Sequence, residues 1–129
     1  MRAYVLESFD SEPRMTDLPE PEVGDDELLV RVHAVSVNPV DLAIGSGGAK
    51  DWLEYRFPVT IGRDLAGVVE RVGDRVSRFA VGDKVFGYIA KDYAHDGSFA
   101  EYVSIPEGQF VVHQPDGLGH TEALTVTTT

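Results

Sequence analysis

Residues 58 to 73 read Pro58-Val59-Thr60-Ile61-Gly62-Arg63-Asp64-Leu65-Ala66-Gly67-Val68-Val69-Glu70-Arg71-Val72-Gly73. The run from Leu65 to Val72 is aliphatic and β-branched, broken by small or charged residues and bounded by glycine, which is the signature of a strand. Gly62, Gly67 and Gly73 punctuate it as they would a strand that bends and twists around a barrel, and Gly73-Asp74 and Gly82-Asp83 are turn pairs able to take positive φ. Working outward, the same signal recurs over residues 2–7, 27–37, 84–89, 98–103 and 109–112. Six short strands and little helix predict a mainly β chain, an all-β barrel or sandwich. Residues 12–26 carry Pro13, Pro19, Pro21 and Gly24 among many carboxylates, so they predict a surface connection or a sheet edge. Two short helices are expected. One runs from Pro39 to Ile44 with Asn38 as its cap, and the other follows Gly119 with Thr121 as its cap.

A chain of 129 residues accommodates one compact domain. Lys and Arg number 11 against 22 Asp and Glu, a formal net charge of -11 that repels phosphate backbones and anionic lipids, so neither nucleic acid nor a membrane is an expected partner. Cys is 0, which removes disulfides, thiolate nucleophiles, iron–sulfur clusters and cysteine-ligated zinc. Glu7 arrives before an apolar leader can develop, and no later apolar run approaches a membrane span, so the expected setting is cytoplasmic. The final Thr127-Thr128-Thr129 has no C-cap glycine and no following strand, which predicts a truncation or a domain boundary there.

The usual phosphate and metal motifs fail. Gly45-Ser46-Gly47-Gly48-Ala49-Lys50 has Lys50 where a dinucleotide fingerprint needs its third glycine, and it follows no strand. Gly82-Asp83-Lys84-Val85-Phe86-Gly87 has Walker-like spacing, yet Tyr88 stands where the phosphate-gripping lysine belongs. His33, His95, His113 and His120 form no i, i+4 pair, which disfavours a metal cage. No Gly-x-Ser-x-Gly elbow supports a hydrolase.

Four ordered blocks carry a more specific signal: residues 33–41 (His-Ala-Val-Ser-Val-Asn-Pro-Val-Asp), 58–73 as quoted, 79–87 (Phe-Ala-Val-Gly-Asp-Lys-Val-Phe-Gly) and 97–103 (Gly-Ser-Phe-Ala-Glu-Tyr-Val). Together they resemble the GroES-like N-terminal catalytic domain of the medium-chain dehydrogenase/reductase superfamily, in its zinc-independent quinone-oxidoreductase branch. The resemblance implies a partly open GroES-like β-barrel with short helices over residues 1–118. It further implies that residues 119–129 begin a connecting helix toward a Rossmann domain of roughly 150 residues that is absent here. In zinc-dependent relatives a Cys stands at Asn38 and a Gly-His-Glu triplet at Gly62-Arg63-Asp64, so the resemblance implies no catalytic zinc, since an arginine has no acceptor. The four-cysteine structural lobe of those relatives, expected between Phe86 and Gly97, is replaced by residues 91–96, which read as a polar turn.

The implied function is the catalytic domain of an NADPH-dependent oxidoreductase that reduces quinones, enones or carbonyls by hydride transfer and is inactive as an isolated chain. A non-catalytic GroES-like module for self-association or partner binding is the alternative, and a homo-oligomer is expected in either case. By the resemblance, Asn38 and Asp41 are the catalytic candidates and Asn38, Arg63 and Asp64 the cofactor-binding ones. Asn38 bonds the nicotinamide, a ribose hydroxyl or a substrate oxygen, or caps the turn through Pro39. Asp41 orients that turn or relays a proton. Arg63 is either a fixed cation where zinc would sit or half of an arginine–carboxylate pair bracing the barrel. Tyr55, Tyr88 and Tyr93 are candidate pocket aromatics.

The charge imbalance sets a measurable expectation. Added salt screens the self-repulsion over a Debye length of about 8 Å, so the melting temperature rises with moderate NaCl. An unchanged or falling value would show the carboxylates already paired with the arginines.

Overall fold

The computed structural model describes residues 1–123; the expectations placed on residues 124–129 lie outside it. In chain order the elements are β1 (Arg2–Leu6), β2 (Arg14–Asp17), β3 (Glu27–Ala34), α1 (Pro39–Gly45), β4 (Glu54–Thr60), β5 (Asp64–Val72), β6 (Lys84–Tyr88), β7 (Tyr93–Asp96), β8 (Tyr102–Pro106), β9 (Phe110–His113) and α2 (His120–Ala123). The strands form a four-stranded sheet in the order β2-β1-β4-β7 and a five-stranded sheet in the order β8-β3-β5-β6-β9. The two curl into the partly open barrel expected, with few helices. No helix of the described residues is long and apolar enough to cross a membrane.

The quoted strand is the centre of the larger sheet: β5 lies between β3 and β6, antiparallel to both. Leu65, Val69 and Val85 meet Leu28, Val30 and Val103 in the main core on the inner face. Ala66 faces the other way, against Ala34, Phe86, Leu118 and Ala123 of α2. A second core joins Leu6 and Val59 of the smaller sheet, and Ile61 just after β4, to Ile44 of α1.

The described residues hold nine strands where six are expected. β2 forms inside the proline-rich stretch, and it is an edge strand, the position such a sequence tolerates. β4 has no legible period because Glu54, Arg56, Phe57 and Pro58 all face solvent in its first five residues. Part of the expected polar turn at 91–96 is β7, paired parallel to β4. The expected strand at 98–103 splits. Gly97, Ser98 and Phe99 bond the carbonyls of Thr60, Gly62 and Ile61, Ala100 bridges to Ala3, and Val32 bonds the carbonyl of Glu101 before β8 begins at Tyr102. This crossing segment sews the two sheets together. Thr121 lies inside α2 and is not its cap, because the first helical bond runs from the Ala123 N–H to the Gly119 carbonyl at 3.0 Å.

Gly82 takes positive φ (94°), whereas Gly73 does not; Gly73 is required because the carbonyls of Gly24 and Asp25 occupy the space of a side chain. Gly67 faces the same restriction from the carbonyl of Arg31 on β3, with which β5 is in register. A methyl group there forces β3 and β5 apart, so Gly67→Ala lowers unfolding free energy by about 2–3 kcal/mol in urea denaturation. A loss below about 0.5 kcal/mol would show that the strand pair relaxes freely.

Candidate active site

The chain leaves β3 extended, with Asn38 at φ -120° and ψ 161°, and enters α1 through Pro39, whose fixed φ and missing N–H suit a first helical turn. Ser36 and Asn38 alternate onto one face of this segment and converge on the start of β5. The Ser36 hydroxyl donates to Asp64 Oδ2 at 2.6 Å, and Asn38 Nδ2 donates to the same oxygen at 2.9 Å. Asp64 is 0% exposed. Asp41, also buried, closes the turn: its Oδ2 accepts the Asn38 backbone N–H at 2.8 Å, and its own N–H donates to the Asn38 carbonyl at 2.9 Å.

Burial pushes the Asp41 carboxyl above the usual carboxylate range and Asp64 adds to the rise, while the Asn38 N–H and the Arg63 charge pull against it. Asp41 Oδ1 has no hydrogen-bond partner among the described residues. The two buried acids therefore bracket one amide and one hydroxyl.

The structure thus brings Asn38, Asp41 and Asp64 together and turns Arg63 away, because consecutive side chains at the head of a strand point to opposite sides. Its guanidinium is buried and donates to the carbonyls of Ile89 (2.8 Å), Lys91 (2.9 Å) and Tyr93 (3.1 Å). Burial lowers its pKa and the nearby acids and tyrosines oppose this, yet an arginine stays charged. Arg63 braces the barrel as one of the two roles expected, but its acceptors are peptide carbonyls and not a carboxylate.

Of the three tyrosines, Tyr88 pairs with Asp64 across β5 and β6 and stays on the face of the site. Tyr55 donates to the Ile44 carbonyl at 2.7 Å and packs in the second core, and Tyr93 carries the Arg56 guanidinium 3.8 Å over its ring. Ser36 was not singled out by sequence. The signal available was the alternation Val35-Ser36-Val37-Asn38, which puts both polar residues on one face. On the other face, Val37 and Leu42 line an apolar cleft of about 650 Å³ with Tyr4, Ile61 and Phe99.

A mostly β, curled half-barrel with few helices is the fold of a GroES-like domain. The chain belongs to the alcohol dehydrogenase GroES-like domain family, which matches residues 24–116. It is 36% identical over 96 residues to a chloroplastic quinone-oxidoreductase homolog of Spinacia oleracea, covering 74% of this chain and 29% of that protein. It is 30% identical over 122 residues to the mitochondrial NAD(P)H oxidoreductase RTN4IP1 of Dictyostelium discoideum, covering 93% and 34% respectively. The quinone oxidoreductase of Coxiella burnetii superposes with a TM-score of 0.83 at 26% identity, over 99% of this chain and 41% of that one. The chain spans about a third of the length of the curated relatives it matches.

The raised carboxyl of Asp41 fixes the sign of a test. Its contribution to stability is complete below the unfolded value near 3.9 and is lost as pH rises through the folded value. At pH 7, Asp41→Asn, neutral and still able to accept the Asn38 N–H, matches or exceeds the parent in urea denaturation, while Asp41→Ala loses about 1–2 kcal/mol with the cap. An asparagine variant weaker than the alanine one would show that the charge itself is required.

Proposed function

We propose that this chain is the catalytic part of an NADPH-dependent oxidoreductase that reduces a small quinone, enone or carbonyl by hydride transfer without zinc. The observation that carries the reading is the shared acceptor Asp64 Oδ2. It holds Asn38 and, beside it, Ser36, and by the resemblance Asn38 and Gly62-Arg63-Asp64 stand where zinc-dependent enzymes carry a Cys and a Gly-His-Glu triplet. The donor set does not suit zinc, since the Asn38 amide nitrogen already donates to Asp64 and Arg63 offers donors alone, aimed elsewhere.

NADPH, when bound, supplies the hydride. Asn38, anchored from below, hydrogen-bonds the nicotinamide ribose, its carboxamide or the substrate oxygen, and Asp64 acts through Asn38 and Ser36 without touching the cofactor. Asp41 orients the turn by accepting the Asn38 N–H, and burial raises its carboxyl pKa, which suits it to relay a proton beside Asn38. Arg63 serves the site by fixing the loop behind it. The apolar cleft lined by Val37 and Leu42, on the opposite face of the segment that carries Asn38, suits a planar, weakly polar molecule. We assign a cytoplasmic setting on the cysteine-free composition, which needs no oxidising compartment.

Residues 1–118 constitute the catalytic domain in this reading, and residues from 119 onward lead toward a nucleotide-binding domain. The pyrophosphate of NADPH needs a glycine-rich turn and a helix N-terminus, so the chain alone is inactive and its calorimetric titration with NADPH is flat. A micromolar dissociation constant would place the cofactor on the barrel itself. Joined to the nucleotide-binding domain of a quinone-reducing relative, the chain restores quinone-dependent NADPH oxidation, and Asn38→Ala lowers kcat/KM by about 10- to 100-fold in that chimera. A folded chimera without activity would sink the proposal.

Self-association is the second reading. It draws on β9, an edge strand that presents Phe110 (70% exposed) and Val112 (51% exposed) beside its unpaired side. Light scattering over a concentration series reveals a dimer if the edge pairs, and a monomer at millimolar protein removes this reading.

A further inference from the structure

His33 on β3 and His120 on α2 stack face to face, with ring centroids 4.6 Å apart and planes 19° from parallel. Gln114, buried in the connection after β9, keys the pair. Its Nε2 lies 2.9 Å from the Val85 carbonyl and 2.7 Å from His120 Nδ1. The Val85 carbonyl accepts only, so the amide nitrogen must face it, and both Nε2 protons are then spent. His120 Nδ1 is consequently an acceptor, and the ring is the neutral tautomer carrying its proton on Nε2. Turning the amide over would rescue nothing, since Gln114 Oε1 would then confront the Val85 carbonyl.

We propose that this stack, keyed by Gln114, is a proton-operated latch that holds α2 against β3 and β5 and lets it go when His120 gains a proton. A proton on Nδ1 removes the Gln114 bond and sets two N–H groups against each other. It also places a cation flat against the His33 ring and nearer to Lys84.

The groups facing His120 are His33 from β3, Lys84 from β6 and the neutral Gln114 after β9, with Glu122 on α2 itself. Burial, His33 and Lys84, in that order, push the His120 pKa down, which agrees with a ring kept neutral while docked. The docked form is therefore at full strength above the ordinary histidine value near 6.5 and weakens as pH falls below it.

The latch adjoins the candidate active site. Ala123 of α2 packs on Ala66, two residues along β5 from Asp64 and so on the same face of the strand. Release of α2 uncovers the side of the sheet on which Asp64 holds Ser36 and Asn38. The latch itself rests on no assumption about the reaction.

Nuclear magnetic resonance on the chain from pH 8 to pH 5.5 tests the latch, following the histidine ring resonances, the Ala123 methyl group and amide exchange corrected for intrinsic rate. Protection at Ala123 is expected to fall about tenfold or more along the His120 titration, while the Val30 and Val69 amides keep theirs. In His33→Gln the His120 midpoint moves up and the loss of protection shrinks. In His120→Gln, which takes no proton, the Ala123 signals stay constant with pH, and this separates His120 from Glu122. Protection independent of pH in the parent, loss in step with the core strands, or an undiminished pH response in His120→Gln would each overturn the latch. Should His33→Gln undock α2 at every pH, the His120→Gln series decides alone.

Discussion

Three peptide carbonyls from Ile89, Lys91 and Tyr93 converge on the buried guanidinium of Arg63 and fasten the chain where it enters the smaller sheet. A buried cation is costly unless its donors are satisfied, and orphaned carbonyls are costly as well, so each side of this contact requires the other. The fastened loop sends the chain into β7, whose parallel pairing with β4 completes the four-stranded sheet. The backbone of Arg63 joins in, its carbonyl accepting the Ile89 N–H at 2.7 Å. In the segment that, by the resemblance, replaces the cysteine-bound lobe of zinc-dependent relatives, the Arg63 guanidinium supplies three of the bonds.

Because Arg63 and Asp64 are neighbours at the head of a strand, one junction performs two tasks. The guanidinium reaches back into the barrel, while the carboxylate reaches forward to Ser36 and Asn38. The rigidity of the candidate site is thus inherited from the closure of the sheet. Gly62, at φ 107°, makes the junction possible: Phe99 and Ser98 fill the space where a side chain would stand. A chain forced into ordinary φ there would misdirect both residues at once.

The central strand, the hairpin-like neighbours of β5 and the first helix with its capping asparagine were legible because each depends on local period and punctuation. Residues 54–60 and 93–96 were not. Most of β4 faces solvent and β7 is four residues long, so neither leaves a period in the residues that pair. Of the four residues that the resemblance singled out, Asn38, Asp41 and Asp64 lie together in the structure, while the guanidinium of Arg63 is bonded elsewhere. The partner of Arg63 was out of reach, because carbonyl acceptors have no sequence signature. Ser36 was overlooked for a related reason, since a serine beside valines reads as strand filler until the register delivers it to Asp64.

The segment that sews the sheets together also bears on the order of events at the ribosome. Ala3 bridges to Ala100, the Tyr4 N–H bonds the Phe99 carbonyl at 2.8 Å, and the Arg2 N–H bonds the Glu101 carboxylate, so the first strand, paired with β2 and β4 nearer in the chain, is also seamed to a segment nearly a hundred residues downstream. Until residue 101 has left the exit tunnel, β1 has no completed seam, and the emerging N-terminal half keeps an open edge. Loops of that span close at modest entropic cost but slowly, and no early fragment can be proofread by its own folding. A nascent chain of this kind depends on its carboxylates, already dense over residues 7–27, to stay dispersed while it waits.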